Sequence, residues 1–441
     1  MRIKEISVRK LFGIFDHVIP LNLEQRITVV HGLNGVGKTV LLRMIDGLCN
    51  KDLSTFMKIP FEEFIVRFED DSYIKVTRSY KKSADISHIL KLYYFHSNDS
   101  NSDKEKPWTI PVTYSMVLGS KRNPLQIQDD IYSKIIEHEK KSPIYDEDDE
   151  NYINRIRHDR ELAYFPGKSV ISKAPSWYKQ FCNSINIKLL DTYRLRSYGT
   201  EDDNNKRLVD AVTAYSEELS QNITQNYQKY AVLSEKLDSN FANRFLRGAK
   251  DVDVKASVIR TKLKDLKEIN KSLKEVGLLT DAIKIPKGMK FKTTEKKFLY
   301  SHLNDVEQKF KVFEKLAEKL TLFKNTIDRI FRYKELIITR DGGLVFLTET
   351  REFLRPEELS SGEQHEIVML YQLLFKVKPD TMVLIDEPEI SLHIAWQDDF
   401  IKDLIKITDQ AAFDVLLATH SPSIISDRWD LTVQLKGSEE C

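Results

Sequence analysis

The stretch VVHGLNGVGKTVLLRMI, residues 29 to 45, decides the fold. Within it Gly32-Leu33-Asn34-Gly35-Val36-Gly37-Lys38-Thr39 completes the pattern G-x-x-x-x-G-K-[ST], with an apolar run before it and an apolar helical pattern after it. The chain has 15 glycines, and three of them fall at Gly32, Gly35 and Gly37. A backbone free of Cβ atoms can wrap around phosphate, and a helix opening at Lys38 turns its positive dipole end toward it. The expected contacts to ATP are therefore the loop Asn34, Gly35, Val36 and Gly37, with Lys38 at the β- and γ-phosphates and Thr39 on Mg²⁺.

A loop of this kind needs an acid from a neighbouring strand. TMVLIDEPEISLH (381 to 393) supplies four apolar residues and then Asp386 and Glu387 at a strand end. Asp386 is expected to hold the metal, and Glu387 to orient or deprotonate the attacking water. DVLLATHSPSII (414 to 425) brings a third apolar strand that ends at Thr419 and His420, and His420 is expected to position the water near the γ-phosphate. PEELSSGEQHEI (356 to 367) puts two serines and a glycine at a helix start. Ser360 with Glu363, and Ser361 with Gln364, match a capping box, and the same hydroxyls and Gly362 would suit a phosphate.

Composition restricts the alternatives. Across 441 residues, 68 Lys plus Arg face 67 Asp plus Glu, so any basic surface must be local. The start shows no signal pattern and there is no long apolar run, which predicts no membrane span and a cytoplasmic protein. Cys49, Cys182 and Cys441 lie far apart, and the ten histidines show no ligand spacing, which leaves a labile Mg²⁺ as the metal to expect.

Along the chain, residues 1 to 30 read as two edge strands and a buried strand at Ile27–Val30, and residues 61 to 80 as a hairpin at a sheet edge turning at Asp70-Asp71-Ser72. Residues 97 to 107 and the acidic 145 to 152 read as solvated loops around helix-like pieces such as residues 128 to 141. A strand at 185 to 195 follows, then about 130 residues with apolar positions three and four apart, the mark of long amphipathic helices. Residues 208 to 247 as one helix would span about 60 Å. The remainder predicts a hairpin at 334 to 347, a helix from 361 and strands at 382 to 385 and 414 to 418. The expected division is an N-terminal lobe at 1–83, an insertion at 84–184, a return strand at 185–200, a helical arm at 201–334 and a C-terminal lobe at 335–441.

Together these segments resemble the ABC-type ATPase heads of the SMC, Rad50 and RecF group. They are especially similar to the AAA ATPases of overcoming-lysogenization-defect proteins and of the Septu and PARIS anti-phage systems. The resemblance covers roughly residues 1 to 80 and 330 to 435. It implies an α/β fold: an ABC-type P-loop ATPase head with a mixed sheet, interrupted by an inserted region and a short, coiled-coil-like helical arm. LSSGEQ then takes the place of the ABC signature, with Ser360 and Gly362 at the phosphate-contacting positions of an opposing subunit. DEPEISLHIAWQ takes the place of Walker B and the D-loop, with Asp386, Glu387, Ser391 and His393, and ATHSPSII that of the switch-histidine loop. Ile394 stands where many relatives have proline, Arg194 resembles a nucleotide or subunit contact, and no glutamine is assigned to the Q-loop.

The function expected from this is Mg²⁺-dependent ATP hydrolysis by a homo-oligomer, at least a dimer, with ATP sites at the interface. A helical arm between the motifs argues against a transporter subunit, and the arm lacks the cysteine hook and long coils of a Rad50-type protein. The chain ends soon after His420, which predicts no Toprim nuclease of its own. The expectation is an anti-phage defence ATPase that controls a separately encoded nuclease or toxin. The alternatives are a RecF- or Rad50-like DNA-repair or chromosome-maintenance ATPase, with nucleic acid held by the Lys-rich 255 to 276, and a scaffold that uses ATP as interface glue.

Overall fold

A computed structural model describes residues 1–80, 86–96, 106–113, 116–117, 167–190, 196–198, 208–248, 255–279 and 293–437, and the description below concerns these. They fall into two compact units. The first comprises Met1–Asp191, Lys378–Glu389 and Leu404–Cys441; the second comprises Thr192–Val377 and Ile390–Asp403.

The first unit holds two sheets. β1 (Ile3–Leu11), β2 (Phe15–Pro20), β4 (Glu63–Phe68), β5 (Tyr73–Tyr80), β6 (Ile86–Phe95) and β7 (Trp108–Thr113) form an antiparallel sheet in the order β2-β1-β4-β5-β6-β7. Period-two alternation turns Ile6, Val8, Phe64, Val66, Ile74, Val76, Leu90 and Leu92 to its buried face. The second sheet is parallel: β16 (Thr432–Gln434), β3 (Ile27–His31), β15 (Asp414–Thr419), β14 (Thr381–Asp386) and β8 (Asn186–Leu190), in that order. β14 and β15 are buried at every position, as a parallel strand covered on both faces must be. Leu41, Leu42, Met44, Ile45 and Leu48 of α1 (Lys38–Cys49) join the inner faces of both sheets in one core. Short helices α2 (Ser54–Lys58), α3 (Gly167–Ser172) and α4 (Ser176–Ser184) flank it.

Three expectations change here. β1 lies inside its sheet, between β2 and β4, so of these two strands only β2 is an edge. The hairpin β4–β5 turns as expected, with Asp71 at φ 62 and Asp70 Oδ1 accepting from Ser72 N (3.1 Å) and Oγ (2.6 Å), but it too is interior, because β6 pairs with β5. Residues 86–95 and 108–113, which read as insertion, extend this sheet through Leu90, Leu92, Ile110 and Val112. The polar 97 to 107 between them hid the pairing. On α4, Tyr178 and Phe181 enter the core, and Tyr178 Oη donates to Leu48 O at 2.9 Å. The acidic run 145 to 152 and the helix-like 128 to 141 lie outside the described residues.

The second unit is mostly helical. α5 (Ala211–Ser239), α6 (Phe241–Gly248), α7 (Ala256–Glu275), α8 (Thr293–Lys311) and α9 (Glu314–Ile330) accompany the pair β9 (Arg196–Tyr198)–β10 (Leu208–Asp210) and a small sheet β11 (Lys334–Thr339)–β12 (Gly343–Thr348)–β13 (Phe353–Leu354). The single helix expected over 208 to 247 is divided. Leu208–Asp210 is strand, and the helix breaks at Asn240, where Asn240 Nδ2 (3.0 Å) and Ser239 Oγ (3.2 Å) take the Lys236 carbonyl. Arg244 then grips Asp305 with two bonds of 2.7 Å, fastening α6 to α8. The unit also contains α10 (Ser361–Tyr371) and α11 (Ile394–Gln397). α12 (Phe400–Ala411) begins at its last residues and α13 (Pro422–Ile425) belongs to the first unit. Among the described residues, no helix is long and apolar enough to cross a membrane.

Candidate functional site

In the first unit, β3 ends at His31, the loop from Gly32 to Gly37 turns, and α1 opens at Lys38. Gly35 (φ 86) and Gly37 (φ 99) occupy the left-handed region that disfavours other residues. A Cβ on Gly37 would stand 2.5 Å from Leu11 Cδ2, so β1 packs where a side chain would be, whereas Gly35 has open space where its Cβ would point. α1 has no side-chain cap and no acidic residue in its first turn, which leaves its orphan N–H groups for an anion. Lys38 is 5% exposed, and its Nζ donates to Gly32 O (2.8 Å) and Leu33 O (3.1 Å), curling over the loop it follows. Beneath the loop, His17 Nε2–H donates to Val36 O at 2.9 Å. Burial pushes the His17 pKa down and keeps the ring neutral, which suits a fixed prop for the loop.

β14 and β15 end beside this loop. β3 pairs with β15, and β15 pairs with β14, all parallel, so three carboxyl-terminal strand ends lie side by side. Thr39 Oγ1 donates to Asp386 Oδ1 at 3.0 Å, which joins the loop helix to the tip of β14. Glu387 follows at φ 41, unusual for a residue with a side chain, and its N–H is tied to Ala418 O at 2.9 Å. Its Oε1 lies 3.7 Å from His420 Nδ1. Lys38, Thr39, Asp386, Glu387 and His420 thus come together at the carboxyl-terminal end of one sheet.

Glu389, which the sequence did not single out, organises the tip of β15. Its Oε1 accepts from Thr419 Oγ1 (2.7 Å) and His420 N (2.9 Å) and lies 3.1 Å from His420 Nδ1. The second glutamate of DEPE was a signal for this role; its partners, 30 and 31 positions away, were not visible.

The donor chemistry fits the groups the motifs imply. A hydroxyl and a carboxylate, both hard oxygen donors and already within hydrogen-bond reach, suit Mg²⁺, and the uncapped helix with its glycine loop and Lys38 suits a nucleotide's phosphates.

The LSSGEQ segment belongs to the second unit. Ser360 caps α10, and the capping box forms: Glu363 N donates to Ser360 Oγ (3.4 Å), while Glu363 Oε2 accepts from Ser360 N (2.9 Å) and Oγ (2.8 Å). The box expected from Ser361 and Gln364 does not form, because Gln364 Nε2 donates to Glu357 O (3.1 Å) and Leu359 O (2.9 Å). Lys334 holds Glu363 at 2.5 Å. Burial alone would raise the Glu363 carboxyl, but Lys334 and Ser360 outweigh it and bring it below the usual range. Gly362 has open space where a Cβ would be. A cavity of about 620 Å³ lies here, walled by Lys334, Ser360, Gly362, Glu366, Ser391 and His393. Ile394 opens α11, a first helical position that suits proline as well, so the departure from the resemblance leaves the local turn undisturbed. Arg194 lies outside the described residues.

Over residues 1–425 the sequence matches AAA_15, an AAA ATPase domain family. Uncharacterized ABC transporter ATP-binding proteins of two Mycobacterium tuberculosis strains, CDC 1551 / Oshkosh and ATCC 25618 / H37Rv, are 29% identical over 130 residues, which is 28% of this chain and 51% of each relative. The chain therefore spans about half the length of the curated relatives it matches. Similar solved structures include the Smc head domain with an extended coiled coil, bound to the C-terminal domain of ScpA and derived from Pyrococcus furiosus (12% identity, TM-score 0.34, covering 99% of this chain and 94% of that one). The SMC head domain from Thermotoga maritima is another (11% identity, TM-score 0.31, 97% and 93%). The AAA_15 match takes in the glycine loop, the acidic strand end and the His420 loop in one span, and the chain belongs to that family of AAA ATPase domains.

Proposed function

We propose that the protein hydrolyses ATP with Mg²⁺ and works as a pair of protomers, the LSSGEQ helix of one closing over the nucleotide held by the other. The observation that carries this is the Thr39–Asp386 hydrogen bond, which unites the glycine-loop helix with the acidic strand end beside Glu387 and His420. In this reading Lys38 exchanges the carbonyls of Gly32 and Leu33 for the β- and γ-phosphates. Thr39 and Asp386 hold the metal, which when bound would screen phosphate charge and polarise the γ-phosphoryl group. Glu387 takes a proton from the attacking water, and His420, aligned by Glu389, holds the γ-phosphate side. Phosphate release by purified protein tests the reading, with Lys38→Ala as control: equal turnover in the two proteins would refute it.

Within that chemistry, we assign the protein to anti-phage defence, as an ATPase that senses infection and controls a separate nuclease or toxin. The motif resemblance and the modest helical arm support this assignment. Isolation from its native cells with bound companions tests it; a nuclease or toxin is expected, and recombination proteins alone would instead favour a RecF-like repair role. One feature favours that second reading: α7 exposes Lys264, Lys267, Lys271 and Lys274, a face that could meet nucleic acid. Salt-dependent DNA binding lost on reversing these charges would support it.

A further inference from the structure

Within the second unit, the signature helix and the loop after the acidic strand meet at one buried carboxylate. Glu366 lies one turn beyond Gly362 on α10 and is 1% exposed. Its Oε1 accepts the main-chain N–H of His393 at 2.8 Å. Ser360, Gly362, Glu366 and His393 line the same cavity of about 620 Å³. Past His393 the segment is anchored separately: Arg329 pairs with Asp399 (2.7 Å) and with Asp403, and Trp396 Nε1 donates to Asp403 Oδ2 at 3.0 Å. His393, at the end of the loop, is thus held by this bond to α10, and the segment beyond it by the ion-pair network.

We propose that Glu366 is a positioning residue that couples phosphate engagement at the N-terminus of α10 to the placement of the Ile390–His393 loop. The coupling rests on the reading above, in which α10 receives the ATP of an opposing protomer. Its physical basis is that a helix moves as a rigid element, so a shift at Ser360 is carried along α10 to Glu366 and through one hydrogen bond to His393. A mere space-filler at this position would be cheaper as an apolar side chain, because burying a carboxyl carries a desolvation cost. Burial pushes the Glu366 carboxyl up to about 7, against the lowering effect of the His393 N–H and with a further rise from Glu363. That cost is retained at the point where α10 and the loop are joined.

Hydrogen exchange on the full chain, with and without ATPγS, tests the coupling. In the wild type, amides at 360–364 and at 390–394 are expected to slow together when ATPγS is added. Glu366→Leu fills the volume but offers no acceptor; it should keep the slowing at 360–364 and lose it at 390–394, with kcat about tenfold lower and KM unchanged. Glu366→Gln keeps an acceptor and should restore both. Should Glu366→Leu fail to fold, Glu366→Met is measured in its place. Equal slowing at 390–394 in the wild type and the apolar variant would overturn the coupling alone. Absence of slowing at 360–364 in the wild type would overturn the paired-site reading, and the coupling with it.

Discussion

At Glu387 a strained backbone coincides with the position proposed to activate water. Its φ of 41 lies just past the end of β14, and its N–H is bonded to Ala418 O. If Glu387 activates water, Glu387→Gln should leave ATP affinity within about twofold and lower kcat by about 10²- to 10³-fold, read by phosphate release beside nucleotide titration. Glu366 yields a second test. Its carboxyl moves from 4.5 to about 7 on folding, so the unfolded chain gives up this proton first as pH rises. The folded state is penalised between those values, and the wild type should lose about 2.5 kcal/mol between pH 5 and pH 8 relative to Glu366→Gln, read by urea unfolding. Lys38, Thr39, Asp386, Glu387 and His420 were legible in the sequence because each sits in a local pattern with its own spacing. His17, Lys334, Glu366 and Glu389 were not, because their partners at Val36, Glu363, His393 and Thr419 are set by the tertiary fold.

Among the elements, burial on both faces made β3, β14 and β15 easy to recognise as apolar runs before a motif. β6 and β7 were hidden by the polar residues between them, although Leu90, Leu92, Ile110 and Val112 alternate correctly once paired. The break at Asn240 escaped detection because asparagine is tolerated within helices, and only the Lys236 carbonyl it takes shows it acting as a stop. The glycine loop is constrained by its neighbour β1. Gly37→Ala must move Leu11 and hold alanine at φ 99, and should cost about 2 kcal/mol in stability along with most nucleotide affinity. Thermal unfolding and nucleotide titration of that variant would show both losses. On α9, Arg329 is half-exposed while its partner Asp403 is 2% exposed. Arg329→Ala would take the guanidinium away from Asp403 while the Trp396 N–H stays, at a cost of about 2 kcal/mol, read as a lower urea midpoint.

For the whole molecule, the two units divide the chemistry: the glycine loop, Asp386, Glu387 and His420 lie in one, and Ser360, Gly362 and His393 in the other. A protein that hydrolyses ATP as a pair needs both sets, drawn in the proposed arrangement from different protomers. Ser360 is engaged within its own capping box with Glu363, and Glu363 with Lys334. Accepting a partner's phosphate therefore asks the Ser360 hydroxyl to exchange one acceptor for another. The direct test mixes two inactive proteins, Lys38→Ala, which spoils the glycine loop, and Ser360→Arg, which spoils the signature helix. Each alone should hydrolyse no ATP above background, and a co-assembled mixture should recover about one working site per mixed pair. Co-assembly without recovery would contradict a site completed by the opposing protomer.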